Sequence, residues 1–78
     1  MKIFEAITVG LEVFSISGQI INEARAAKAQ NRKMQLSASV LWLEMQDVLA
    51  RLQQVTGFPV NMTKAQAIVN AAIEIINA

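Results

Sequence analysis

The chain has no cysteine and no histidine. The first absence excludes disulfides and thiolate chemistry. The second removes the commonest general acid–base and, with cysteine gone too, ordinary zinc sites. Glycine occurs three times and proline once. Gly10, Gly18 and Gly57 are scattered along the chain, so no glycine-rich phosphate loop can form. Charge is also scarce: 17% of residues are ionic, against about 25% in an average soluble domain. Glu5 and Glu12 fall on one helix face but stand about 10 Å apart by helix rise, too far for a tight carboxylate pair within one chain. No Glu-x-x-His metal pattern exists. The expectation is a protein that is not an enzyme. No catalytic residue, cofactor, metal or small-molecule substrate is assigned to it.

What the chain does have is apolar surface. Its 78 residues form one domain at most, residues 1–78, and 54% of them are hydrophobic. A chain this short buries only about 60% of its unfolded surface and is marginal alone. With disulfides and zinc excluded, oligomerisation or a lipid environment is the support that remains. Part of the apolar surface should face partner subunits, a larger assembly or lipid.

Net charge is +1, but its distribution is uneven. Residues 1–23 sum to −2, residues 24–43 to +4, and residues 44–78 to −1. The middle block holds Arg25, Lys28, Arg32 and Lys33 and no acid. Lys2, the following apolar stretch and Ala24-Arg25-Ala26 loosely imitate a signal peptide. Glu5 and Glu12 interrupt that stretch, so secretion by a signal peptide is not expected. The Asn61-Met62-Thr63 sequon then reads as chance. A cytoplasmic or virion-associated location is preferred to a membrane one.

The periodicity predicts an all-α fold of three helices, at about residues 2–33, 37–55 and 63–77. A long helix is followed by a helical hairpin, packed in an oligomeric or larger assembly. A hinge is placed near 30–36 and a turn at 57–62, where Gly57-Phe58-Pro59 is the strongest breaker cluster. In helix one, Glu5, Thr8, Glu12, Ser15, Gln19 and Asn22 recur at alternating spacings of three and four, a heptad-locked polar seam. Ala6, Val9, Val13, Ile16 and Ile20 make one apolar stripe. Ile3, Ile7, Gly10, Phe14 and Ile21 make a second beside it. A water-facing helix carries an apolar stripe of only about 100° or somewhat more, so this one is expected to be surrounded. Gly10 and Gly18 are read as points of close helix packing.

In helix two, Ala38, Leu41, Met45, Val48, Leu52 and Val55 keep strict 3-4 spacing, and Trp42 and Leu49 widen the stripe. Glu44, Asp47, Arg51 and Gln54 form the wet face, with Asp47 and Arg51 placed to pair four residues apart. In helix three, Thr63 is read as the N-cap and Gln66 as its capping-box partner. Ile68, Ile73 and Ile76 lie on its broad apolar side, and Gln66, Asn70, Glu74 and Asn77 make a narrow polar stripe.

Three functional readings follow. The first is a structural or interaction protein that self-associates or joins a multi-subunit assembly, such as a virion, through apolar helix faces. Its interface candidates are Ile3, Ile7, Val9, Val13, Phe14, Ile16, Ile20, Leu41, Trp42, Met45, Val48, Leu52, Ile68, Ile73 and Ile76. The second is a small membrane oligomer, channel- or holin-like. Residues 3–21 approach the roughly 20 needed to span. The seam residues Glu5, Glu12 and Gln19 would then line the interior, and Ala6-x-x-x-Gly10 would admit close helix approach. The third is a helical nucleic-acid-binding module whose Arg25, Lys28, Arg32 and Lys33 contact phosphates. The same four cations would meet lipid headgroups in the membrane reading.

Overall fold

A computed structural model describes residues 3–78, so the start predicted at Lys2 lies outside the described residues. The fold is all-helical. Helix α1 spans Ile3–Ala29, α2 spans Val40–Thr56 and α3 spans Met62–Asn77. A single 3-10 turn, Leu36–Ala38, precedes α2. At 1.5 Å per residue α1 is about 40 Å long. It sets the long dimension of a rod measuring 44 × 20 × 17 Å.

Helix α1 is the spine. Both shorter helices pack on it more than on each other. Two cross-links fix the direction of α2: Ser39 bonds to Glu23, and Arg51 to Glu12. Later residues of α2 thus meet earlier residues of α1, and the pair is antiparallel. At the other end, Asn77 Nδ2 donates to the Met34 carbonyl at 3.2 Å and Lys28 Nζ donates to the Ala78 main-chain oxygen at 3.1 Å. Helix α3 therefore ends beside the end of α1 and runs parallel to it.

The core is one cluster along the α2/α3 side of α1. Val9, Ile16, Ile20, Ala24 and Ala27 come from α1; Trp42, Met45, Val48 and Leu49 from α2; Ile73 from α3. Met34 and Leu36 close it at the connection. Ile20, wholly shielded from solvent, sits at its centre.

Several boundaries differ from the predicted ones. Helix α1 ends at Ala29, four residues early. Asn31 turns left-handed at φ 57°, Asn31 N donates to the Lys28 carbonyl, and Arg32 N donates to the Ala27 carbonyl at 2.8 Å. This closure satisfies carbonyls that another helical turn would have used. Helix α2 starts at Val40 because residues 36–38 form the tighter 3-10 turn. Helix α3 starts at Met62, and its cap is Asn61: Asn61 Oδ1 accepts the Lys64 N–H at 2.9 Å. The cap assigned to Thr63 is thus corrected, since Thr63 already lies inside the first turn. Gly57, at φ 75°, closes α2 in the left-handed region that favours glycine.

Candidate functional site

Helix α1 has apolar side chains on opposite sides, and the fold uses one of them. Val9, Ile16 and Ile20 of the first predicted stripe are buried, with Val13 packed against them. Beside it, roughly a third of a turn round at 100° per residue, most of the second stripe is open. Ile3 and Ile7 are exposed there, and Phe14 is 80% exposed. Phe4, at 87%, and Leu11 join them. Gly18 is exposed and Ile21 half-buried on the same side. Phe4, Ile7, Leu11, Phe14, Gly18 and Ile21 follow one another at spacings of three, four, three, four and three. This is the heptad rhythm of a helix that packs on another helix.

Phe4 and Leu11 are not among the predicted interface residues. Both are legible as apolar residues at seam spacing, but they belong to neither predicted stripe. Of the other candidates, Ile3, Ile7, Phe14 and Ile68 are exposed. Val9, Ile16, Ile20, Trp42, Met45, Val48 and Ile73 are buried within the single chain, and Val13, Leu41, Leu52 and Ile76 are half-buried around them. Helix α1 is therefore not surrounded within one subunit. The close packing expected at Gly10 and Gly18 is also absent inside the chain: a Cβ built at either would meet nothing within 4 Å.

The borders of the open face are polar but uncharged. The Thr8 hydroxyl donates to the Phe4 carbonyl at 2.9 Å and the Ser17 hydroxyl to the Val13 carbonyl at 2.8 Å. Ser15 Oγ accepts from Gln19 Nε2 at 3.4 Å. The first two back-bonds satisfy the Thr8 and Ser17 hydroxyl donors inside the helix.

The polar seam lies on the flank beside α2. Glu5, Thr8 and Glu12 line an open groove with Arg51, Gln54 and Val55. Glu12, Ser15 and Arg51 continue into a second groove with Glu44 and Asp47. Arg51 Nη2 donates to Glu12 Oε2 at 2.6 Å. The predicted Asp47–Arg51 pair is thus replaced by a pair between helices, because the antiparallel packing presents a carboxylate from α1 to the guanidinium. At the other end of the seam, the buried Ser39 hydroxyl donates to Glu23 Oε2 at 2.8 Å.

The basic run is dispersed. Arg25 and Lys28 are on α1, whereas Arg32 and Lys33 lie beyond its end, so the four cations do not share one helix. Lys28 is engaged with Ala78, and Arg32 donates through Nε and Nη2 to the Gln30 side-chain oxygen. Among the described residues no three metal-ligating side chains cluster. No family model matches the chain, and no curated protein or solved structure was found to be similar to it.

Proposed function

We propose that this protein is a non-enzymatic assembly component that associates through the open face of α1. The observation that carries this reading is the heptad stripe in which Phe4, Ile7, Leu11 and Phe14 are exposed and Ile21 is half-buried. Such a stripe is costly to leave in water: about 25 cal/mol is at stake per Å² of apolar surface. The amount of surface supports the reading. A folded monomer of 8.5 kDa exposes about 4,650 Å² by the usual scaling with mass. This chain exposes 5474 Å². The excess of about 800 Å² matches what one partner contributes to a standard interface. The radius of gyration points the same way: it is 13.5 Å, against about 11.5 Å for a compact domain of this length.

Light scattering on protein purified without detergent tests the reading. The expected result is a discrete oligomer whose mass falls to that of the single chain when Leu11→Lys places a charge mid-stripe. Wild-type protein that stays monomeric at tens of micromolar would overturn it.

A lipid-directed role is the second reading. Helix α1 is long and apolar enough to cross a membrane, and only 17% of its most apolar stretch is buried within the chain. Arg25 follows the stripe at heptad spacing, where a cation would meet headgroup phosphate. Protein recovered only with detergent, or pelleted by vesicles containing anionic lipid, would favour this role. The channel-like form of the reading places Glu12 in a lumen, and Arg51 would have to release it or follow it there.

A further inference from the structure

Building on that reading, we infer that the open face of α1 takes a second copy of the same chain in an antiparallel, two-fold arrangement, with residue i of one α1 opposite residue 25 − i of the other. Three observations select this geometry: the phase of the stripe, the positions of the cations and the notch at Gly18.

The stripe alternates between two heptad positions. Phe4, Leu11 and Gly18 hold one, and Ile7, Phe14 and Ile21 hold the other. An antiparallel pair sets the first kind opposite the second. Centring the apolar stretch then puts Phe4 against Ile21 of the second copy, Ile7 against Gly18, and Leu11 against Phe14. Two-fold symmetry generates each layer twice, so all six positions are filled with no residue left over.

Charge excludes the parallel alternative. Arg25 continues the stripe at the next heptad position, and Lys28, one position further, is engaged with the Ala78 main-chain oxygen. In a parallel pair Arg25 would face its own copy across the seam, and like charges at that spacing repel. In the antiparallel pair the two copies of Arg25 stand at opposite ends of the seam, about 37 Å apart along the axis.

Shape agrees with charge. Gly18 is open, with nothing within 4 Å of a Cβ built on it. A parallel pair would set this gap against itself and leave a void in the seam. The antiparallel pair fills it with Ile7. The flanking positions Thr8, Gly10, Ser15 and Ser17 are small and uncharged, so two helices can approach at the short end of the usual 8–10 Å range. The hydroxyls of Thr8 and Ser17 are already satisfied within their own helix and can be covered without loss. The rest of the subunit meets the stripe only at its ends, where Phe4 borders the groove beside α2 and Ile21 is half-buried, and leaves Ile7, Leu11 and Phe14 open. The dimer is a six-helix body with the two α1 helices at its centre, which covers the stripe each subunit leaves open.

The absence of native cysteine makes the test clean. Ile7→Cys and Gly18→Cys are made separately, one carrying a mass tag, then co-refolded and oxidised. Circular dichroism and light scattering confirm that each variant still folds and associates. The expected product is the mixed 7–18 disulfide, in at least tenfold excess over 7–7 and 18–18 species. In the antiparallel register two copies of residue 7 stand about 16 Å apart along the axis, beyond disulfide reach. Efficient 7–7 and 18–18 linkage would overturn the antiparallel geometry while leaving self-association intact. An oligomer that gives neither kind of linkage would move the interface elsewhere. A wild-type chain that is monomeric by light scattering would remove the self-association reading on which the dimer rests.

Discussion

Arg51 and Glu12 stand 39 residues apart in sequence, yet Arg51 Nη2 lies 2.6 Å from Glu12 Oε2. The pair joins the far half of α2 to the polar flank of α1. It fixes the side of α1 that α2 covers, and hence the side that stays open. The contact is half in water, with side-chain exposures of 48% and 41%. A pair of that kind contributes about 0.2–1 kcal/mol. Its value is in orientation more than in stability.

A double-mutant cycle on Glu12→Gln and Arg51→Gln measures that contribution. The coupling free energy from urea unfolding is expected at about 0.2–1 kcal/mol and should shrink as salt rises. Coupling well above this range would mean the pair is more thoroughly shielded, as it would be if an interface covered it.

The two apolar sides of α1 should respond in opposite ways to truncation. Ile20→Ala removes a fully buried side chain and is expected to cost about 2–5 kcal/mol. Trp42, the sole tryptophan and buried, gives a fluorescence readout of the unfolding. Phe14→Ala touches an exposed position and should change the stability of the isolated subunit by no more than about 0.5 kcal/mol. Under the proposed self-association its effect falls on the assembled form. Wild-type Tm should rise with protein concentration, as binding linkage requires, and this dependence should weaken in Phe14→Ala. A Tm independent of concentration in the wild type would count against assembly through this face.

Capping at α3 offers a local test. Asn61 Oδ1 holds the Lys64 N–H, so Asn61→Ala is expected to cost about 1 kcal/mol. Thr63→Ala should cost far less, because Thr63 lies inside the helix and does not cap it. Equal losses, or a larger loss at Thr63, measured by thermal or urea unfolding, would return the cap to the position that the sequence pattern suggests.

Much of this architecture is legible in the order of the residues. The three helices follow from 3.6-residue periodicity, which is a property of short stretches. The turn near Gly57 follows from a residue that tolerates the left-handed region and a proline two residues later. The misplaced boundaries have local causes too. Asn61 and Thr63 are both good caps, and the capping-box spacing points to the second, while the chain enters the helix at the first. At the end of α1 no glycine marks the stop, and Asn31 takes the left-handed conformation in its place.

Local sequence is enough to specify three helices, a chain with neither cysteine nor histidine for chemistry, and in α1 more apolar circumference than a lone amphipathic helix needs. Each of these depends on residue type and short-range spacing. Packing between helices chose which side of α1 enters the core. It also decided that Phe4 and Leu11 stay outside, and that Arg51 reaches across to Glu12 rather than along its own helix to Asp47. Those choices depend on how α2 and α3 share one helix between them. Two apolar stripes on α1 look alike to any local pattern, and only the helix packed against one of them makes them different.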